Sequence, residues 1–220
     1  MSLINAIMRH FSFISICQMQ KAGISYPEPG KKEKNPGPRD EDKKDKLNLG
    51  CGGVKIPDWI NIDIEPGADI ILNLKTGLPF QDNSVRYIYS EHVLEHFSRD
   101  EGLSILKECF RVLSKGGVIR IAMPDLDHII EKYSTDWKNQ DWLSWPEYQF
   151  IKTKGQMINI TFSWWGHKYL YNEEDLKQII LDAGFSFTNR VSRSESRFVE
   201  LSNLENRQDS LLVFEAVKHE

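Results

Sequence analysis

Two clusters in this sequence have residue types and spacing suited to chemistry. The first is Leu47-Asn48-Leu49-Gly50-Cys51-Gly52-Gly53, where leucines at alternate positions run into a turn rich in glycine. A buried parallel strand ends this way when a ligand must lie against its backbone, because glycine accepts positive φ and has no Cβ to hold the ligand off. The second cluster is His92-Val93-Leu94-Glu95-His96. On a helix, that H-x-x-E-H spacing would put His92 and His96 on one face, able to share a zinc ion, with Glu95 as general base. A hydrolase of that kind needs a third ligand downstream, such as Glu173 or Glu174. The plainer reading makes Glu95 and His96 residues that cap and pack a short helix; another gives His92 or His96 a substrate or cofactor contact. A third histidine, His167 in Trp164-Trp165-Gly166-His167-Lys168-Tyr169, is a candidate general base or a structural hydrogen-bonding residue.

The elements that would position these residues alternate between β and α patterns. Strands are expected at 46–50, 59–63, 68–74, 86–90 and 118–123. Helical spacing runs over 100–113, with Leu103, Leu106, Phe110 and Leu113 on one face and Gly116-Gly117 as its expected terminator. A second helix begins over 126–133, and a third is expected over 172–183, with Asn172 as N-cap and Gly184 after its end. Two trailing β segments, near 186–191 and 211–217, suit an antiparallel sheet edge. The fold expected is α/β, an open, mostly parallel Rossmann-like sheet with an antiparallel edge strand. Only eight residues, Cys51 to Asp58, separate the first two strands, and Pro57 is among them. A full helical crossover takes about 10–12 residues, so the first helix must be reduced to a turn.

In such sheets a ligand lies beyond the carboxyl ends of the strands. One rim then collects Gly50–Gly53, Asp63, Asn73 and Ser90–His92. A dinucleotide fingerprint would need glycine at 55, where this chain has Lys55, and no G-K-[ST] follows to make a P-loop. A pyrophosphate also needs a helix N-terminus, for which the 51–58 loop has little room. A cofactor without phosphates fits better.

These residues resemble the class I S-adenosylmethionine-dependent methyltransferases, in the methyltransferase type 11-like subgroup with a shortened first helix. The resemblance rests on Leu47-Asn48-Leu49-Gly50-Cys51-Gly52 and Asn61-Ile62-Asp63. It continues through Gly77–Val85, Tyr89-Ser90-Glu91-His92-Val93-Leu94-Glu95-His96, Leu113-Ser114-Lys115-Gly116-Gly117 and Pro124-Asp125-Leu126. It implies S-adenosyl-L-methionine as cofactor and methyl transfer as the reaction. It implies that Leu49, Gly50, Cys51 and Gly52 pass beneath the methionine part and that Asp63 accepts from the ribose hydroxyls. Asn73 and Leu74 would lie by the adenine, and Ser90 and His92 by the reacting methyl. Many relatives carry aspartate near position 73, so Asn73 is a departure. His92, His96 and His167 are the candidate catalytic residues, and no resident metal is expected. The alternative from another class is a degenerate methyltransferase-fold binding module or partner subunit without catalysis.

Composition bounds the rest. The chain has 220 residues, a net charge of −4 and 40% apolar residues, ordinary for a soluble globular protein, with no general basic character to attract nucleic acid. Cys17, Cys51 and Cys109 form neither a disulfide framework nor a metal pair, which favours a reducing, cytoplasmic setting. Cys51 reads as a small packing residue. No apolar run approaches the length of a membrane span. Residues 1–26 read as an extension with a short helix rather than a signal peptide, 27–45 as a flexible linker rich in proline, glycine and charge, and 46–220 as the methyltransferase domain. Within it, residues 133–171 form an insertion carrying five of the six tryptophans. An accessory core, a substrate wall facing a small-molecule or glycan acceptor, and an oligomer interface such as a homodimer contact all fit such a segment. Arg193 and Arg197, in the charged stretch after 190, could meet an anionic substrate.

Overall fold

The computed structural model of the chain describes residues 45–219. The extension at 1–26 and nearly all of the expected linker lie outside the described residues. Seven strands form one sheet: β1 (Lys46–Leu49), β2 (Ile60–Asp63), β3 (Ile70–Ile71), β4 (Val85–Glu91), β5 (Leu113–Met123), β6 (Phe187–Arg190) and β7 (Leu212–Val217). Their order is β3-β2-β1-β4-β5-β7-β6. The first five pair in parallel, whereas β7 runs antiparallel to both β5 and β6. The antiparallel strand thus lies one place in from the edge, with β6 outside it. Among the described residues, four helices accompany the sheet: α1 (Arg99–Val112), α2 (Leu126–Ser134), α3 (Lys154–Ser163) and α4 (Glu173–Asp182).

Burial on both faces explains the central strands. Leu47, Leu49, Ile88, Ile119 and Ile121 face a core completed by Leu106 and Cys109 of α1 and Leu176 and Ile179 of α4. Trp59, Tyr89, Val118 and Val217 form a second cluster with Leu201. Strands covered on both faces carry near-continuous apolar sequence, as β5 does from Val118 to Met123.

Three local differences from the sequence reading have physical causes. The expected third strand over 68–74 shrinks to Ile70–Ile71, because the Asn73 side chain accepts from the Lys75 amide and turns 74–76 into a 3₁₀ helix. Gly116-Gly117 does not terminate α1, which ends at Val112; the glycines lie inside β5. There Gly116 takes φ 77° and donates its N–H to the Lys218 carbonyl, and the β4–β5 register jumps from Val85↔Leu113 to Tyr87↔Val118. The pair forms a bulge. The 51–58 loop contains no helix, as its length required. Buried asparagines tie it down: Asn48 Nδ2 donates to Asn61 Oδ1 (3.0 Å) and to the Val54 carbonyl (3.2 Å), while Asn61 Oδ1 also accepts from the Ile56 amide (2.8 Å).

Candidate active site

A cleft of about 1090 Å³ opens at the carboxyl ends of the parallel strands. Its floor is the glycine turn after β1, where Gly50 and Gly52 have φ of 66° and 50°. At Gly50 the requirement is also steric, since a Cβ there would come within 2.3 Å of Val93 Cγ2. The turn therefore needs glycine to fold beneath the loop after β4. Asp63, at the end of β2, holds the turn from the other side. Its Oδ2 accepts from the Gly52 amide (2.7 Å) and its Oδ1 from the Glu65 amide (2.9 Å).

The expected cofactor residues divide. Gly50, Cys51, Gly52 and His92 line the cleft; Leu49, Asp63, Asn73, Leu74 and Ser90 are not among its lining residues. Leu49, Leu74 and Ser90 instead border a small interior void with Ile105 and Ile121. Cys51 is buried, and desolvation with the nearby Asp63 charge pushes its thiol up to about 11, which fits a packing residue rather than a nucleophile. Glu65 was missed in the sequence. It lines the cleft, and its buried Oε1 has no hydrogen-bond partner. Burial and the Asp63 charge raise its pKa. Its place two residues beyond Asp63, past the strand end, was the available signal.

Beyond the glycine turn lie the histidines. His92 directly follows β4 with φ 52°, a left-handed conformation that few non-glycine residues adopt. Ser210 donates its hydroxyl to Glu91 Oε1 (2.6 Å), so its oxygen accepts from His92 Nε2–H (3.1 Å). The remaining ring nitrogen, Nδ1, lies 3.3 Å from Glu95 Oε1. Burial holds His92 well below its usual pKa, so the ring is neutral. Glu91 also accepts from the Asn206 side chain (2.6 Å) and the Arg207 amide (3.1 Å), fastening the 204–211 segment to the strand end. That segment forms a wall of the cleft with Asn206, Arg207, Gln208 and Asp209. Glu91 carried no legible signal, because its partners come from more than a hundred residues downstream.

Glu95 is fully buried, neither of its oxygens has a partner in hydrogen-bonding geometry, and burial pushes its carboxyl up to about 8. His96 and His167 line the cleft with ring centroids 5.1 Å apart. Burial and then the neighbouring His167 push His96 down to about 3, and burial likewise lowers His167. His167 Nδ1 lies 2.7 Å from the Thr161 carbonyl, which can only accept, so Nδ1 carries the proton and Nε2 the lone pair. The opposite wall comes from the aromatic insertion. Trp142, Tyr148, Ile151, Met157 and Ile160 make a satellite core, while Trp142, Trp145, Tyr148 and Trp165 also face the cleft. The insertion is therefore both accessory core and wall. Arg193 donates to Gln208 and Arg197 stacks over Phe187 and Phe198; neither is among the cleft-lining residues.

The hydrolase arrangement of His92, Glu95, His96 and a downstream glutamate is not assembled. The 3₁₀ turn covers only Leu94–His96, so His92 and His96 do not share a helix face. Glu173 pairs instead with Arg190 (2.8 Å) at the start of α4.

The strand order and the antiparallel β7 are those of the class I methyltransferase fold, and the cleft lies above the glycine turn. Residues 47–121 match the family described as a methyltransferase domain, in support of the expected class I S-adenosylmethionine-dependent methyltransferase family. A protein from Thermotoga maritima, described as a possible histamine N-methyltransferase, shares the fold. It is 14% identical with a TM-score of 0.50, over 96% of this chain and 92% of that one. A methyltransferase from Methanosarcina mazei is 19% identical, with a TM-score of 0.47 over 80% of this chain and 93% of that one. An N-methyltransferase from Haemonchus contortus is 15% identical, with a TM-score of 0.49 over 80% of this chain; the match spans 48% of that longer protein. No curated protein matches the sequence. Among the described residues, no helix is long and apolar enough to cross a membrane.

Proposed function

We propose that this chain is an active methyltransferase that moves a methyl group from S-adenosyl-L-methionine to a small-molecule or glycan acceptor. One observation carries the reading: a single cleft joins the glycine turn to a chamber walled by histidines and tryptophans. Glycine backbone suits one end to a cofactor, and aromatic faces suit the other to a flat ring or sugar face. Bound S-adenosyl-L-methionine supplies the electrophilic methyl and the leaving group.

The residues of this chain then bind, align and exclude water. Gly52 and Gly53 allow a close approach to the backbone. Glu65 is the carboxylate available to a diol, since both oxygens of Asp63 already accept from amides that shape the turn. Asp63 thus serves the cofactor indirectly, by holding Gly52. His92, fixed by Ser210 and beside Glu95, positions the loop after β4. His96 and His167 reach the acceptor side, where an incoming nucleophile would meet them.

Calorimetry with S-adenosyl-L-methionine tests the cofactor half, and saturable binding is expected. No binding at millimolar cofactor would leave the non-catalytic partner subunit as the reading. A methyl-transfer screen over sugars, phenols and amines tests the acceptor half; cofactor binding without turnover on any of them would favour a binding module.

A further inference from the structure

We propose that Glu95, His96 and His167 form a zinc-binding site whose open position faces the acceptor side of the cleft. The potential ligand atoms of the three lie within 4.8 Å of one another. Two imidazoles and a carboxylate are a donor set for zinc, and three protein ligands with a fourth position open is the arrangement of a reactive site rather than a structural one. Tetrahedral zinc with bonds near 2.0 Å separates its ligand atoms by about 3.3 Å.

Two further observations point to a cation. Glu95 is completely shielded from solvent, yet neither carboxylate oxygen is hydrogen-bonded, although Oε1 lies 3.3 Å from His92 Nδ1. A buried carboxyl without a hydrogen bond is unfavourable, and a metal ion satisfies it. The histidines are also preset. His167 donates Nδ1–H to the Thr161 carbonyl at 2.7 Å, which fixes its ring and leaves Nε2 as the donor, and the Gly166 backbone bears on the His96 ring. Zinc-binding histidines are commonly oriented by such carbonyl contacts. His96 and His167 line the cleft and Glu95 lies beneath, so an ion held there would be reached from the cleft.

This site is distinct from the H-x-x-E-H arrangement, because His92 is engaged with Ser210 and the third ligand comes from the segment after α3. Its open position would take an oxygen, nitrogen or sulfur donor of the acceptor. That last assignment rests on the methyl-transfer reading; the zinc site itself does not.

The test uses the full chain, stripped with a chelator and titrated with Zn²⁺, with Co²⁺ as a spectroscopic probe. One saturable site per chain is expected, with visible absorption bands of low-coordinate cobalt. Glu95→Gln and His167→Gln should each weaken binding by at least about tenfold, whereas His128→Ala, elsewhere on the cleft wall, should not. Thermal unfolding of each metal-free variant checks that it folds. No saturable binding to the unsubstituted chain would overturn the site. So would binding that survives both glutamine substitutions, as a site at His10 or Cys17 would. Calorimetry with S-adenosyl-L-methionine on the zinc-free protein reports separately on the cofactor, so loss of one reading is distinguishable from loss of the other.

Discussion

Asp63 and Glu65 lie two residues apart, yet their surroundings give them different work. Asp63 is almost fully buried and accepts from two backbone amides, whereas Glu65 presents a buried, unpartnered oxygen beside the cleft. Glu65→Gln should therefore weaken S-adenosyl-L-methionine binding by about tenfold, the worth of one charge-assisted hydrogen bond, with the unfolding midpoint nearly unchanged. Asp63→Asn should lower stability by about 1–3 kcal/mol, because its amide cannot accept in both directions. Calorimetry and urea denaturation on the two variants separate these effects, and the reverse pattern would return the ribose to Asp63. Gly50→Ala should fail more completely, since it adds a Cβ against Val93 at a left-handed φ. Residue types were legible at this scale: the glycines, the acid at the strand end and the histidines stand out in sequence. Direction was not. Whether a carboxylate faces a ligand or an amide depends on which backbone groups the turn leaves unpaired, and that requires the turn.

Elements were legible where local rules act alone. Ser98 begins α1 with a capping box, its side chain accepting from the Glu101 amide and Glu101 accepting from the Ser98 amide. Asn172 caps α4 as its position suggested. They were less legible where pairing partners decide, as with Gly116-Gly117, whose bulge depends on β4 and Lys218 rather than on α1. The capping box supplies a pH-dependent term. The Ser98 amide, then Lys75 and Lys168, hold Glu101 down to about 2, against an ordinary 4.5. A depressed folded-state pKa contributes stability that is complete above the unfolded value and is lost as pH falls toward the folded one. Glu101→Gln, which can still accept the cap hydrogen bond, should thus cost about 1 kcal/mol at pH 7. The deficit should shrink as pH falls from 4.5 to 2. Urea denaturation of both proteins at pH 7 and pH 3 measures it, and an equal deficit at the two values would assign the loss to packing instead.

Across the whole molecule, the sheet and the cleft wall are joined by Arg120. It sits on β5 with no exposed surface, pairs with Glu205 and with Glu215 of β7, and donates to the Ser192 and Glu195 carbonyls. Glu205 in turn accepts from the Ser194 amide and directly precedes Asn206, where the Glu91-anchored wall begins. No sequence rule predicts an arginine between Val118 and Met123, because its partners lie 85 and 95 residues away. Removing the guanidinium leaves two buried carboxylates facing each other, a loss of about 3–5 kcal/mol for a broken buried pair. Arg120→Met should lower stability by that amount. Because the segment from 192 to 209 loses its tie to the sheet, hydrogen exchange there should rise more than in β1 or β4. Arg120→Met combined with Glu205→Gln and Glu215→Gln removes the stranded charges and should recover part of the stability, but not the protection of the wall, since the contacts to Ser192 and Glu195 stay absent. Full recovery of both would mean that Arg120 only balances charge, and that the cleft wall is held by Glu91 alone.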